Sequence, residues 1–163
     1  MRNYFYSLDC NGLLYLQGSP RNITSAFKDI RFLDFFFSRV KQSPKTHPLA
    51  LQGYTHQSQC GNEMNWLKVE KTPVVFHSID QQTQIIAWAG SLALPFNPNE
   101  ISVCQDGYFY HSISARMPTA VHGHPIGLLK SSLVLTDLTD FDRSQDDCIV
   151  YKGKQYSVKR IFL

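Results

Sequence analysis

Long apolar runs are missing from this sequence of 163 residues. A helix that crosses a bilayer needs roughly eighteen or more apolar residues, whereas the densest aromatic run, at residues 35–37, is bounded by Asp34 and Arg39. We therefore expect no transmembrane segment.

A strong charge imbalance is also missing, since the formal net charge is only +3 and the basic residues are scattered. Nucleic-acid binding is left open but unsupported, because nucleic-acid-binding proteins usually concentrate Lys and Arg on one face.

Cysteines at metal-binding spacing are missing too. The four cysteines lie far apart along the chain, at Cys10, Cys60, Cys104 and Cys148. No C-x-x-C pair brings two thiolates to one metal ion. An even count permits two disulfides, but a domain of this length does not need them, so we expect free thiols.

The common signatures of nucleotide-binding proteins and hydrolases are absent. The sequence has no G-x-G-x-x-G, no Walker loop and no G-x-S-x-G elbow. An acidic run follows residue 136, but it lacks the glycine and the terminal glutamate of an EF-hand loop. The sequence therefore predicts neither a metal site nor a cofactor.

What is present is enough apolar sequence to build a core. Hydrophobic residues make up 43% of the chain and aromatic residues 13%, while only 18% are charged. A disordered chain would leave too much of this surface in water. The length favours one compact domain, residues 1–163, with two small lobes, 1–96 and 97–163, left open as a subdivision.

One long helix is predicted over residues 21–40. Apolar residues recur there at steps of three and four, at Ile23, Phe27, Ile30, Leu33, Phe37 and Val40. Three further phenylalanines, Phe32, Phe35 and Phe36, widen this stripe beyond one ordinary helix face. We therefore expect the helix to be buried on two sides, either at the centre of the domain or with its second face against another chain, and we assign Phe32, Phe35 and Phe36 as binding residues.

The remainder is predicted to be mostly β-structure. Turn residues around Gly12 and Gly153 indicate a hairpin at each end of the chain. Residues 49–55 suit a short strand, and residues 127–138 suit a second, shorter helix, although 133–135 would also suit a strand. Short links between strands favour an α+β fold with antiparallel sheets, with two similar small lobes as one arrangement.

The segment 58–67 carries the most specific pattern. Cys60 could act as a thiol nucleophile with Glu63 and Asn65 close by, because a thiolate needs a neighbouring base or positive group. The structural alternative is stronger: a glycine turn lets Cys60 pack inside while Glu63 and Asn65 bond to the main chain. Asn65 is assigned to binding. His111 and His122 are the histidines that could supply acid–base chemistry. His122 and His124, with His111, offer three possible nitrogen ligands, but without a Cys or carboxylate at fixed spacing they predict no metal site.

Several motifs together resemble one family over most of the chain. They are residues 4–6 with Asp9 and Gly12, residues 27–29 and 32–37, Cys60-Gly61 with Glu63, Asn65 and Leu67, residues 73–76, 95–98 and 110–111, and residues 127–133. This pattern resembles the UPF 0598 family, with fainter similarity to the bacterial DUF 1285 proteins. The resemblance implies an uncharacterised, mitochondrial-type protein with a small two-lobed α+β fold and no established catalytic residue.

The chain departs from the family pattern in two places. Asn62 stands where the family usually has Arg, which removes a cation from the turn. The animal members carry an amino-terminal extension suited to mitochondrial import, whereas this sequence has no clear transit peptide. Mitochondrial localisation therefore rests on the resemblance alone.

Two functions remain as hypotheses. The first is a non-catalytic interaction protein, an accessory subunit or assembly factor of a large mitochondrial complex such as a respiratory complex or the mitochondrial ribosome, with protein subunits as partners. The alternative is an enzyme or small-ligand-binding protein that uses the turn at residues 60–65 and nearby histidines. The first is preferred because no convergent set of catalytic groups is visible.

Overall fold

β-strands dominate the computed structural model, which describes residues 1–18, 26–139 and 147–163. The strands of these ranges are β1 (Arg2–Leu8), β2 (Leu14–Gln17), β3 (Val40–Gln42), β4 (His56–Cys60), β5 (Glu63–Val69), β6 (Val75–Asp80), β7 (Ile85–Trp88), β8 (Leu92–Pro95), β9 (Ile101–Cys104), β10 (Phe109–Ser112), β11 (Ile126–Leu129), β12 (Cys148–Tyr151), β13 (Lys154–Ser157) and β14 (Lys159–Ile161). The helices are α1 (Ile30–Phe37), α2 (Pro48–Leu51) and α3 (Ser131–Asp137), with a 3-10 turn at Pro98–Glu100. The predicted α+β class is wrong, because the described fold is mostly β-sheet.

The strands form three sheets of five, seven and two strands. The five-stranded sheet has the order β2-β1-β5-β4-β3, the seven-stranded sheet β14-β9-β10-β11-β6-β7-β8, and β12 pairs with β13. The prediction of purely antiparallel sheets is also wrong, since three pairs are parallel: β1 with β5, β6 with β11 and β9 with β14. Parallel partners lie far apart in the sequence, so the short links between successive strands did not exclude them.

Both terminal hairpins are confirmed, because local turn chemistry specifies them. In the first, the Asp9 carboxylate accepts the N–H groups of Asn11 and Leu13, both at 2.9 Å, and Gly12 takes the positive φ of 78° that the turn requires. In the second, Lys152 and Gly153 both have positive φ, the geometry of a two-residue hairpin turn between β12 and β13.

The long helix predicted over residues 21–40 is replaced by a helix of eight residues. Residues 21–25 lie outside the described ranges. Residues 26–29 are not helical, and the Phe27 N–H donates to the Leu14 carbonyl at 3.0 Å. Asp29 then caps the helix: its carboxylate accepts the Phe32 N–H at 2.7 Å. α1 ends after Phe37, and the chain turns at once into β3.

Two shorter segments also differ from expectation. Residues 48–51 form one helical turn, not a strand, because Pro48 fits the first position and the His47 ring accepts the Leu49 N–H at 3.1 Å. The predicted second helix over 127–138 is divided, since its first residues belong to β11 and only Ser131–Asp137 is helical. β11 is buried on both faces, and a continuous apolar run does not distinguish such a strand from a buried helix.

Two apolar clusters form the core. One joins the five-stranded sheet and α1 to the seven-stranded sheet and includes Tyr6, Phe36, Leu67 and Leu128. The other lies against the seven-stranded sheet and includes Phe76, Ile86, Leu138 and Ile149. The chain passes from the first sheet to the second between Val69 and Val75. The single domain with lobes at 1–96 and 97–163 stays a prediction.

Candidate functional site

The predicted turn at residues 60–65 is a tight hairpin between β4 and β5. Cys60 pairs directly with Glu63, and Gly61 takes a positive φ of 62°. Glycine at the first central position is typical of a two-residue hairpin turn. Cys60 is half-buried, and its sulfur lies 3.6 Å from the Ser58 hydroxyl. The structure thus brings Cys60 and Glu63 together through ordinary strand pairing.

Asn65 belongs to the same face of the sheet. It pairs with Ser58 on one side and Tyr4 on the other, so these side chains project in one direction. Ser58 donates to the Phe36 carbonyl at 2.7 Å, which identifies this face as the one under α1. Asn65 is buried, and among the described residues its side-chain oxygen has no hydrogen-bond partner. Burial raises the pKa of nearby Tyr6, with a smaller contribution from the Glu63 charge, so the region disfavours further negative charge.

His111 is a satisfied core residue and lies in the other sheet. Its Nε2 accepts the Asn97 N–H at 3.1 Å, so Nδ1 carries the proton and donates to the Ser112 carbonyl at 2.7 Å. Burial lowers its pKa, which agrees with a neutral ring, and Phe76 and Phe96 pack against it. Both ring nitrogens are engaged, so His111 has no group left for proton transfer.

His122 lies in the wall of a cavity of about 440 Å³. The cavity is bounded by the ends of β3 to β5, the start of α2 and the segment 120–123, and neither Cys60 nor His111 is among its lining residues. His122 and Gly123 both have positive φ and form the turn between the bridged residues Val121 and His124. The candidates His122, His111 and Cys60 therefore do not share one site.

Two polar residues in the wall of this cavity, Ser43 and His56, are only 5% and 3% exposed. Within the described residues no hydrogen-bond partner is found for the Ser43 hydroxyl, and the His56 ring lies against the Ala120 carbonyl. His56 Nδ1 lies 3.0 Å from the Thr55 hydroxyl. Burial lowers the pKa of His56 to about 4, although the Ala120 carbonyl acts in the opposite direction, so the ring is neutral at neutral pH.

Neither Ser43 nor His56 was assigned to a site from the sequence. They meet because β3 pairs antiparallel with β4, with Gln42 opposite His56, and because the Ser43 N–H donates to the Thr55 carbonyl at 2.9 Å. The segment that leads into residues 120–123 is attached to β3 by one hydrogen bond, in which the Gln42 N–H donates to the Pro118 carbonyl at 2.9 Å. No local motif encodes these pairings, so only the strand order reveals them.

The outer surface of α1 carries a small aromatic and basic feature, the α1 stripe, defined by Arg31, Phe35 and Arg39. Phe35 is 45% exposed, whereas its neighbour Phe36 is fully buried and Phe32 is half-buried. The Arg39 guanidinium lies 3.7 Å from the centre of the Phe35 ring, and Arg31 is exposed one helical turn before Phe35. Of the three predicted binding phenylalanines, only Phe35 is thus substantially accessible.

Two further searches cover the described residues only. In the ranges 1–18, 26–139 and 147–163, no group of three His, Cys, Asp or Glu side chains is arranged to hold a metal ion. No helix in the same ranges has the length and apolar character needed to span a bilayer.

Comparison with known proteins identifies one family over almost the whole chain. A family model described as a domain of unknown function, DUF4505, matches residues 1–162. Among solved structures, a DUF1285 family protein from Silicibacter pomeroyi DSS-3 is similar, with 12% sequence identity and a TM-score of 0.47. The match covers 94% of this chain and 79% of that chain.

Proposed function

The chain belongs to the DUF4505 family of domains of unknown function, and we propose that it is a non-catalytic interaction protein. Its place is as an accessory subunit or assembly factor of a large mitochondrial complex, either a respiratory complex or the mitochondrial ribosome. The narrower resemblance to the UPF 0598 family supports the mitochondrial part of this proposal, on the motifs at residues 4–12, 60–67 and 73–76. The α1 stripe supports the interaction part.

Exposure of Phe35 is the observation that carries the proposal. Within the run of residues 35–37, Phe36 and Phe37 are buried in the core, while Phe35 leaves nearly half of its side chain in water. Burying such a ring completely would stabilise a complex, because aromatic side chains contribute large apolar areas. Arginine and aromatic residues are also the types most often found at the energetic centres of protein interfaces.

The charges around Phe35 indicate the chemistry of the partner surface. Arg31 and Arg39 place two guanidinium groups on the stripe, and the acidic side chain of α1, Asp34, is turned to the other side, where it accepts hydrogen bonds from Ser91. An acidic protein surface with an apolar pocket for the phenyl ring matches this arrangement. The partner we propose is therefore an acidic face of a protein subunit, not a nucleic acid.

Purification of the tagged protein from mitochondria under native conditions tests the proposal. We expect a stoichiometric protein partner with the wild-type chain, and we expect Phe35→Asp to weaken its retention at least about 30-fold, as for a central aromatic contact. Phe162→Asp is the matched control, because Phe162 is even more exposed, at 73%, and lies outside the stripe. It should leave retention unchanged.

The partner's chemistry is tested by charge reversal. Arg31→Glu should weaken retention and Arg116→Glu, another exposed arginine, should not. Retention should also fall as salt rises, because exposed charge pairs are screened. A chain that elutes alone from mitochondria, a partner retained by Phe35→Asp, or a companion removed by nuclease would overturn the proposal.

A further inference from the structure

The acidic side chain of α1, Asp34, is held by the turn between β7 and β8. Its carboxylate accepts the Ser91 N–H at 2.7 Å and also the Ser91 hydroxyl. Burial acts to raise the pKa of Asp34, but these bonds, with main-chain contributions from Gly90 and Leu92, lower it below its ordinary value. The turn therefore stabilises the charged form of this carboxylate.

The shape of the turn fits the carboxylate closely. Ala89 has a positive φ of 54°, a conformation that is unfavourable for a residue with a side chain. A Cβ atom at Gly90 would lie 2.7 Å from Asp34 Oδ1, so glycine is needed for the close approach. The Ala89 carbonyl lies 3.1 Å from His77 Nε2, which ties the turn to β6. Backbone strain of this kind persists where the surrounding contacts enforce it, often at functional positions.

Asp34 has a second potential partner on its own helix. Arg31 precedes Asp34 by three residues, and side chains at that spacing are neighbours on a helix surface, where opposite charges pair. The Arg31 guanidinium is exposed, and no ion pair is found for it within the described residues. The turn and Arg31 thus compete for one carboxylate, and the turn holds it.

We propose that the turn between β7 and β8 determines the charge of the α1 stripe, with Ser91 and Asp34 as positioning residues that keep Arg31 available to an acidic partner. This role rests on the proposed function, because it concerns the binding of that partner. With Asp34 held by Ser91, the stripe presents the two cations of Arg31 and Arg39. Released from the turn, Asp34 would pair with Arg31 and leave a single unpaired cation on the stripe.

Ser91→Asp tests this role in the partner-retention experiment. The introduced carboxylate repels Asp34 from the turn, so Asp34 is free to pair with Arg31. We expect retention of the mitochondrial partner to weaken about threefold, the effect of one exposed charge pair. Ser132→Asp, at an exposed position of α3, adds the same charge and should leave retention unchanged. Asp34→Asn in the Ser91→Asp background should restore retention, because a neutral amide does not neutralise Arg31.

Titration of the Asp34 carboxyl group by carbon-13 NMR measures the release without any partner. In the wild-type protein, Arg31→Gln should leave this titration unchanged, because the carboxylate is bound by the turn. In the Ser91→Asp protein, Arg31→Gln should raise the apparent pKa of Asp34 by roughly 0.4 pH units, because an exposed ion pair is lost. A purely structural role of the turn would not link these two side chains. If Ser91→Asp does not fold, Ser91→Ala removes one bond to Asp34 and should give a smaller shift in the same direction.

Failure of this role differs from failure of the proposed function. A wild-type chain that retains no partner contradicts both. Equal retention by the wild-type and Ser91→Asp proteins, with a partner present, overturns the role of the turn alone. The same conclusion follows if Arg31→Gln leaves the titration of Asp34 unchanged in the Ser91→Asp protein.

Discussion

The Ser58 hydroxyl donates a 2.7 Å hydrogen bond to the main-chain carbonyl of Phe36, and so joins the last turn of α1 to β4 of the five-stranded sheet. Ser58 is fully buried, and the Phe36 ring beside this bond is fully buried as well. The preceding residue, Phe35, is turned about 100° around the helix from Phe36 and stays half-exposed. The inner face of α1 is thereby fixed to the sheet, and its outer face is left free.

Replacement of Ser58 by Ala is expected to lower the free energy of unfolding by about 1 kcal/mol. The loss is at the lower end for a buried hydrogen bond, because the Phe36 carbonyl keeps a second donor, the Arg39 N–H at 3.2 Å. Urea denaturation measures the difference. Ser132→Ala, at an exposed position of α3, should change the stability by less than about 0.5 kcal/mol. Equal effects of the two substitutions would contradict a structural role for Ser58.

A second prediction concerns the packing of α1 against the turn between β7 and β8. A Cβ atom at Gly90 would lie 2.6 Å from the Ile30 carbonyl oxygen and 2.7 Å from the Asp34 carboxylate. Asp34 cannot move freely because it accepts the Ser91 N–H at 2.7 Å. Gly90→Ala should therefore cost roughly 2–3 kcal/mol of stability, the range typical of overpacking.

Gly107→Ala is the comparison for that prediction. Gly107 has a positive φ of 83° but no atom within 4 Å of an added Cβ, so only backbone strain of about 1 kcal/mol is expected. Hydrogen exchange distinguishes the two variants further, since Gly90→Ala should accelerate exchange in α1 and Gly107→Ala should not. Protection of α1 that is unchanged in Gly90→Ala would show that the helix does not depend on this contact.

These contacts also explain why α1 could not be predicted from its sequence. The spacing of Phe27, Ile30, Leu33 and Phe37 fits a helix, yet Phe27 reaches the same cluster from extended chain, packing against Phe32 with ring centres 5.0 Å apart. Side chains that converge on one core need not share one helix. Asp29 was the available signal, because Asp before an apolar run is a common helix start.

The terminal hairpins could be predicted from the sequence, whereas the candidate cavity could not. A turn such as Asp9 to Gly12 is specified by the residues within it, so it was predicted correctly. The meeting of Ser43 with His56 depends on which strands pair, and β1 with β5 is a parallel pair between distant segments. Nothing local encodes such contacts, so neither the parallel pairs nor the cavity could be foreseen.

A third prediction tests whether Asn65, in the predicted site around Cys60, serves the packing of the sheet or makes an essential polar contact. The Asn65 side-chain oxygen is buried and finds no partner in the part of the chain that the structure describes, and Leu has a similar branched shape. Asn65→Leu should therefore keep the stability within about 1 kcal/mol of the wild-type value or raise it, since the substitution removes an unsatisfied group. Asn65→Asp should cost several kcal/mol, because it places a charge in a buried position beside Glu63. Chemical denaturation of both variants measures the contrast, and a large loss in Asn65→Leu would instead indicate that the amide makes an essential polar contact.

The fourth prediction follows from the buried imidazole of His56. Its pKa is lowered to about 4 by burial, against an ordinary value of 6.5, so the folded protein binds fewer protons at this group than the unfolded chain does. The stabilisation that results is fully present above pH 6.5 and is lost as the pH falls towards 4. It amounts to about 3 kcal/mol over that interval. We expect the free energy of unfolding of the wild-type protein to fall more steeply between pH 7 and pH 4.5 than that of His56→Leu, by about 2–3 kcal/mol.

His111 and His77, whose pKa values are also lowered by burial, remain in both proteins and cancel from the comparison. If His56→Leu does not fold, His56→Gln gives the same comparison with a polar neutral side chain. Parallel pH profiles of variant and wild type would mean that His56 is protonated as readily in the folded protein as in the unfolded chain, and that the wall of the cavity is open to water at this residue.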